Sequence, residues 1–299
     1  MEKAIEFIRA SLRLTTPLLL AALGGGFMQV AGVPNVAMEG LMLISALAGY
    51  IVSFTTKSWV LGLISAILAA LIVGAFYALF VLKLKADIFA VGITLTIFLG
   101  GISAYIIRRY YNQASVLMSK DAVLFPTISF NFFKKSPFFD SLLNDYSILI
   151  PVSLILVVVT YLIFYKTPFG NWLRAAGSNP AALVASGKNV GQIRFYAFLI
   201  SSIFCGLAGA HLSLGYMGIF SLTLVSGRGF VALAIVLFGG GNPIAILIAS
   251  IIFGMADAAS LRIPTNILPS QFPLMLPYII TILAITIMGR YTKSKANIE

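Results

Sequence analysis

The feature that most limits what this chain can fold into is a succession of apolar runs separated by brief polar interruptions. About 20 apolar residues in a helix cross the hydrocarbon core of a bilayer. Runs at 14–31, 35–54, 59–82, 88–107, 147–165, 195–216 and 274–288 reach or approach that length. Two shorter runs, 230–238 and 244–259, flank Gly239-Gly240-Gly241-Asn242-Pro243. Membrane barrels are built instead from alternating segments of about ten residues, and no such alternation is present. The sequence therefore predicts an all-α polytopic membrane protein, one transmembrane domain over 1–299. About eight to nine transmembrane helices are expected, including a broken-helix hairpin over 227–260. Composition agrees: 60% of the 299 residues are hydrophobic and 10% charged, where a soluble domain carries about a quarter charged.

Charge sets the expected topology. The net charge of +11 is carried by loops flanking the spans rather than by a basic module interleaved with stacking aromatics, so no nucleic-acid partner is expected. The stretch 166–194 holds Lys166, Arg174, Lys188 and Arg194 and no acid, which places it on the cytoplasmic side. The basic loop 83–87 and the tail with Arg290, Lys293 and Lys295 belong there too. The long 108–146 loop mixes both signs and is rich in phenylalanine, so it is expected outside. Counting spans back from a cytoplasmic C-terminus puts the N-terminus outside. Residues 1–13 alternate charge and apolar groups at helical spacing and predict an interfacial helix.

Chemistry-bearing residues are few. One cysteine, Cys205, excludes an internal disulfide, and one histidine, His211, excludes a two-histidine metal site. Neither a Ser–His pair nor a carboxylate cluster at helical spacing suggests an intramembrane enzyme. Within 166–194, Asn179-Pro180 is a helix-start signal and Gly187 a helix stop. The small-residue helix between them is expected to face the cytoplasm as a docking peg. Gly32 and Pro34 break the chain inside apolar sequence, with a new helix expected from Asn35. Such breaks are tolerated only beside protein or a water-filled cavity. Asn35 and Glu39, four apart, would share a helix face, and Glu39 is either functional or structurally paired. Asp257 is expected to pair with Arg262 or meet solvent. Glu39 and Asp257 leave an ion-coupled secondary transporter as a rival reading. No G-x-x-x-x-G-K-[ST] loop is present, so any ATP hydrolysis belongs to another subunit.

The motifs GVPNVAMEGLML, TPFGNWLRAAGSNPAALVASGKNVGQIR, GRGFVALAIVLFGGGNP, FGMADAASLRI and LPSQFPLMLPYIITIL occur in that order over nearly the whole chain. The chain resembles permease subunits of bacterial ABC importers for simple sugars, nucleosides and branched-chain amino acids, above all the nucleoside permeases. The resemblance implies a cell-membrane importer working by alternating access, with nucleosides as cargo and simple sugars as the alternative. It implies an ATP-binding subunit carrying ATP-Mg, a second permease (a paralogue favoured) and an external substrate-binding lipoprotein, with no cofactor in this chain. It implies coupling to the ATPase through Phe169, Gly170, Arg174, Gly177, Asn179, Pro180, Ala181, Ala182 and Gly187. Asn35, Glu39, Thr96, Arg228 and Asn242 would line or gate the pathway. The family's fourth span usually reads Asn-x-x-x-x-Gly-x-x-x-Asn. Here Asp87 precedes Gly92 and Thr96 stands at the second Asn position.

Overall fold

The computed structural model describes residues 2–119, 121–128, 146–216, 218–260 and 262. In chain order its helices are α1 (Glu2–Val30), α2 (Met38–Thr56), α3 (Trp59–Ala78, continued by a π-helical turn Leu79–Lys83), α4 (Ile88–Tyr111) and α5 (Leu149–Lys166). There follow α6 (Pro168–Ser178), α7 (Pro180–Ala185), α8 (Val190–Leu214), α9 (Arg228–Gly239) and α10 (Pro243–Ser260). Seven of these are long and apolar enough to cross a membrane, and α9 is a shorter apolar helix. The expected span at 274–288 and the basic tail lie outside the described residues, as do residues 129–145 of the long loop.

Residues 2–13 do not form a helix of their own: α1 runs on through Pro17 without interruption. Proline removes one helical donor, which leaves the Arg13 carbonyl without its i+4 partner. The buried imidazole of His211 on α8 faces that carbonyl. The hydroxyls of Ser11, Thr15 and Thr16 donate to the carbonyls of Phe7, Ser11 and Leu12 at 2.8, 2.7 and 2.9 Å, so this end absorbs its polar groups internally. The Arg13 guanidinium lies 4.3 Å over the Tyr216 ring.

Packing is arranged around α1 and α8. The first lies along α10, α8 and α9, and the second also lies along α2 and α3. Apolar side chains gain little by leaving lipid for protein, so membrane helices associate through close packing at small residues. Gly24-Gly25-Gly26 shows this at three neighbours in succession. A Cβ there would come within 2.6 Å of Phe204 on α8, 2.8 Å of Val236 on α9 and 3.0 Å of Ile246 on α10. The most apolar stretch of α8 is 72% buried, that of α4 only 22%; α4 leans chiefly on α2 and turns most of its surface outward.

The expected outer loop contributes short strands. Strand β1 (Val116–Met118) pairs antiparallel with β4 (Ile219–Ser221), Leu117 opposite Phe220. Strands β2 (Thr127–Ile128) and β3 (Tyr146–Ser147) form a second pair. These ribbons satisfy backbone groups at the end of the molecule where α1 starts and α8 finishes.

Candidate functional site

Two non-helical segments enter the helical body from opposite ends and meet. The first, residues 31–37, leaves the end of α1. Helix α2 begins at Met38 rather than at Asn35, because Asn35 is spent on the turn. Its Oδ1 accepts from the Ala37 N–H at 3.0 Å and its Nδ2 donates to Ser201 Oγ at 2.8 Å, near the middle of the 25-residue α8. The second segment, residues 222–227, descends from β4 to the start of α9.

Glu39, in the first turn of α2, joins the two. Its Oε1 accepts from the Gly227 N–H and its Oε2 from the Gly229 N–H, both at 2.7 Å. A carboxylate at a helix N-terminus meets the orphan donors and the positive end of the helix dipole together. Gly229 is required by the close approach, since a Cβ there would collide with the Glu39 backbone. The adjacent Arg228 donates through Nε and Nη2 to Asp257 Oδ2 at 3.3 and 3.1 Å and through Nη1 to the Leu224 carbonyl at 3.0 Å. Asp257 thus pairs with Arg228 and not with Arg262, which lies 3.9 Å from Glu6. Both acids are engaged by protein donors, which leaves an ion-coupled mechanism no unpartnered carboxylate among the described residues of this centre.

The remaining pathway candidates divide. Thr96 belongs to the centre: its Cα would lie 2.8 Å from a Cβ on Gly40, and its hydroxyl donates back to the Gly92 carbonyl at 3.0 Å. Asn242 does not. It stands at the turn between α9 and α10, where its Oδ1 caps the Ile244 N–H at 2.9 Å. That turn lies at the far end of α9, with Gly241 packed on Val30.

At the same end, α6 and α7 form a two-helix corner. Thr167 caps α6, accepting from the Gly170 N–H at 3.2 Å, with Pro168 at the first helical position. Asn179 caps α7, accepting from the Ala182 N–H at 3.1 Å, with Pro180 likewise first; Gly187 then leaves the turn at φ +77°. A Cβ on Gly170 would strike the Ile163 and Phe164 carbonyls, and one on Gly177 the Val30 carbonyl. These two glycines seat α6 on the ends of α5 and α1, with Phe169 against the core. Pro180, Ala181, Ala182 and Val184 of α7 face outward and only Leu183 is buried. Arg174 is held by Asn171 Oδ1 at 2.6 Å and lies over the Tyr165 ring. The helix α6 itself was not expected as a separate element, and neither was the role of Arg194. Its Nε and Nη2 donate to the Ala31 and Ala176 carbonyls at 3.1 and 3.0 Å, tying α1, α6 and α8 together. Only its charge was visible in the sequence.

The family model described as "Branched-chain amino acid transport system / permease component" matches residues 7–285. The guanosine ABC transporter permease protein NupQ of Bacillus subtilis is 31% identical, over 97% of this chain and 94% of that protein. The nucleoside ABC transporter permease protein NupC of Lactococcus lactis is 27% identical, over 95% and 92%. A putative glucose ABC transporter permease protein, TsgC13 of Haloferax volcanii, is 29% identical, over 88% and 79%. No solved structure matches. The described helices make the chain a multi-pass membrane protein, and the extent of the family match makes it a member of the branched-chain amino acid transport system permease family.

Proposed function

We propose that the chain is the transmembrane permease of an ATP-driven importer whose cargo is nucleosides. The observation that carries the reading is the meeting of two broken segments at Glu39, Gly227 and Gly229 in a centre whose acids are all engaged. Discontinuous helices with their ends at mid-depth mark translocation pathways. A centre with no free charge suits an uncharged, hydroxyl-rich cargo. Asn35, Glu39, Thr96 and Arg228 then form or brace the pathway, with Asn242 a cap at its inner end. The relatives named for guanosine and nucleosides favour nucleosides. The relative named for glucose keeps simple sugars as the second reading.

The corner of α6 and α7 faces the cytoplasm on this reading and docks an ATP-binding subunit, which holds ATP-Mg. Its exposed surface is small, apolar and free of acids, with Arg174 beside it, suiting a groove with an acidic rim. An external substrate-binding lipoprotein and a paralogous second permease complete the assembly. The named pairs NupP with NupQ and NupB with NupC among the relatives support the paralogue. The C-terminus is cytoplasmic and the N-terminus outside.

The test is uptake of labelled guanosine, uridine, ribose and galactose in transport-deficient cells carrying this subunit with its neighbouring ATPase, binding protein and second permease. ATP-dependent nucleoside uptake, lost on Arg174→Glu at unchanged membrane level, is expected. Sugar uptake instead would move the cargo to the second reading. Uptake untouched by Arg174→Glu would remove the coupling role.

A further inference from the structure

On the cytoplasmic side of the Glu39 centre lies a cleft of about 240 Å³, walled by Gln29, Gly32, Pro34, Phe89, Leu233 and Leu237. A second cleft of about 440 Å³, bounded by Gln29, Gly32, Tyr165, Arg174 and Gly241 among others, opens beside α6. Gln29 and Gly32 belong to both walls, so the Gln29 side chain stands where one cleft passes into the other. Gln29 is in the last turn of α1, within the membrane span Ile5–Val30. Its Oε1 is buried and has no hydrogen-bond partner among the described residues. A buried amide oxygen without a donor is costly, and such groups in native proteins call for an explanation.

From these observations, and resting on the importer reading above, we infer that this cleft is a transient subsite for the heterocyclic base of the cargo. The orphan oxygen needs a donor, and among the described residues of the cleft's lining Gln29 is the one side chain with a hydrogen-bonding group. The other walls are apolar, and Phe89 offers an aromatic face. An aromatic face with one amide acceptor suits a planar ring that carries N–H groups on its edge. A sugar would satisfy the oxygen but waste the ring. The volume falls below the roughly 300–1,000 Å³ of sites that enclose a whole drug-sized ligand. It is enough for a base passing through, and a pathway needs binding weak enough to release.

The experiment uses the complete complex in proteoliposomes, with guanosine and ribose as probes. Gln29→Met keeps the length and removes the acceptor, and Gln29→Asn keeps an amide. Guanosine uptake at equal incorporation should fall at least ten-fold in Gln29→Met and less in Gln29→Asn. A second readout does not depend on transport. With Cys205, which is fully buried, changed to serine, the chain's single thiol in Leu237→Cys, on the wall of the same cleft and with Gln29 intact, is labelled by a charged maleimide from the α6 side. Guanosine should slow that labelling several-fold and ribose should not. Wild-type uptake by Gln29→Met, or labelling indifferent to guanosine, would overturn the subsite. Guanosine protection without ATP-dependent uptake would uphold the subsite and overturn the importer reading instead.

Discussion

Replacing Glu39 should destabilise the protein by a share of its folding free energy that can be worked out from the contacts. The carboxylate is the acceptor for two part-buried backbone donors, the Gly227 and Gly229 N–H groups, each at 2.7 Å. Leucine at this position fills comparable space and offers no acceptor. Each orphaned buried donor costs about 1–3 kcal/mol, so Glu39→Leu should lose about 2–6 kcal/mol. The lost charge at the start of α9 adds about 0.3–1 kcal/mol more. Domains are typically stable by about 5–15 kcal/mol, so the loss is a large fraction of the whole. Glu39→Gln keeps one carbonyl oxygen and turns an amide donor toward the other N–H, so about half the loss should remain. The assay is unfolding of purified protein in mixed micelles titrated with SDS, followed by helical circular dichroism. An unchanged midpoint in Glu39→Leu would refute the reasoning, because it would mean that the donors find water or another acceptor at no cost.

The pair Arg228 and Asp257 is largely buried, with side chains 21% and 13% exposed. Removing either partner leaves a charge uncompensated and should cost about 3–5 kcal/mol. The double substitution Arg228→Met, Asp257→Leu should recover part of that. A double-mutant cycle read by the same unfolding assay gives the coupling, and purely additive losses would mean the two do not interact. Arg194→Lys should weaken the protein by about 1–3 kcal/mol, because a single ammonium group cannot reach both the Ala31 and Ala176 carbonyls as the guanidinium does. A shift in the unfolding midpoint checks this, and the wild-type midpoint would show that one of the two bonds suffices.

Much of the architecture was legible because it is local. Run lengths gave the spans that fall among the described residues, and the Asn179-Pro180 and Gly187 signals gave α7 with its caps as observed. The hairpin flanking the Gly-Gly-Gly-Asn-Pro turn also appears where expected. Less legible were properties fixed by distant partners. Glu39 was open between a functional and a paired role because its partners lie 188 and 190 residues away. Asp257 had a nearby arginine in sequence and a different one in space. The charges and apolar groups alternating over 1–13 suggested a helix at the interface, yet packing against α8 and α10 carries α1 through. Asn242 carries the same residue type a pathway would use, but its position before Pro243 makes it a cap. Gln29 gave no signal, since a single amide near the end of an apolar run becomes notable only when its surroundings leave it without a donor.

The corner made by Gly177 and Arg194 has a mechanical consequence. Helix α6 rests directly on the last carbonyls of α1, and Arg194 grips Ala31 and Ala176 with one planar group. A push on α6 and α7 cannot be absorbed there by sliding without breaking both hydrogen bonds. The thrust passes instead into the chain at Gly32, the foot of the segment that climbs to Asn35 and Glu39. Helix α1, about 43 Å long at 1.5 Å per residue, is the stiff beam against which that foot turns. On the importer reading, the 31–37 segment would serve as the short arm of a lever whose load is the start of α9.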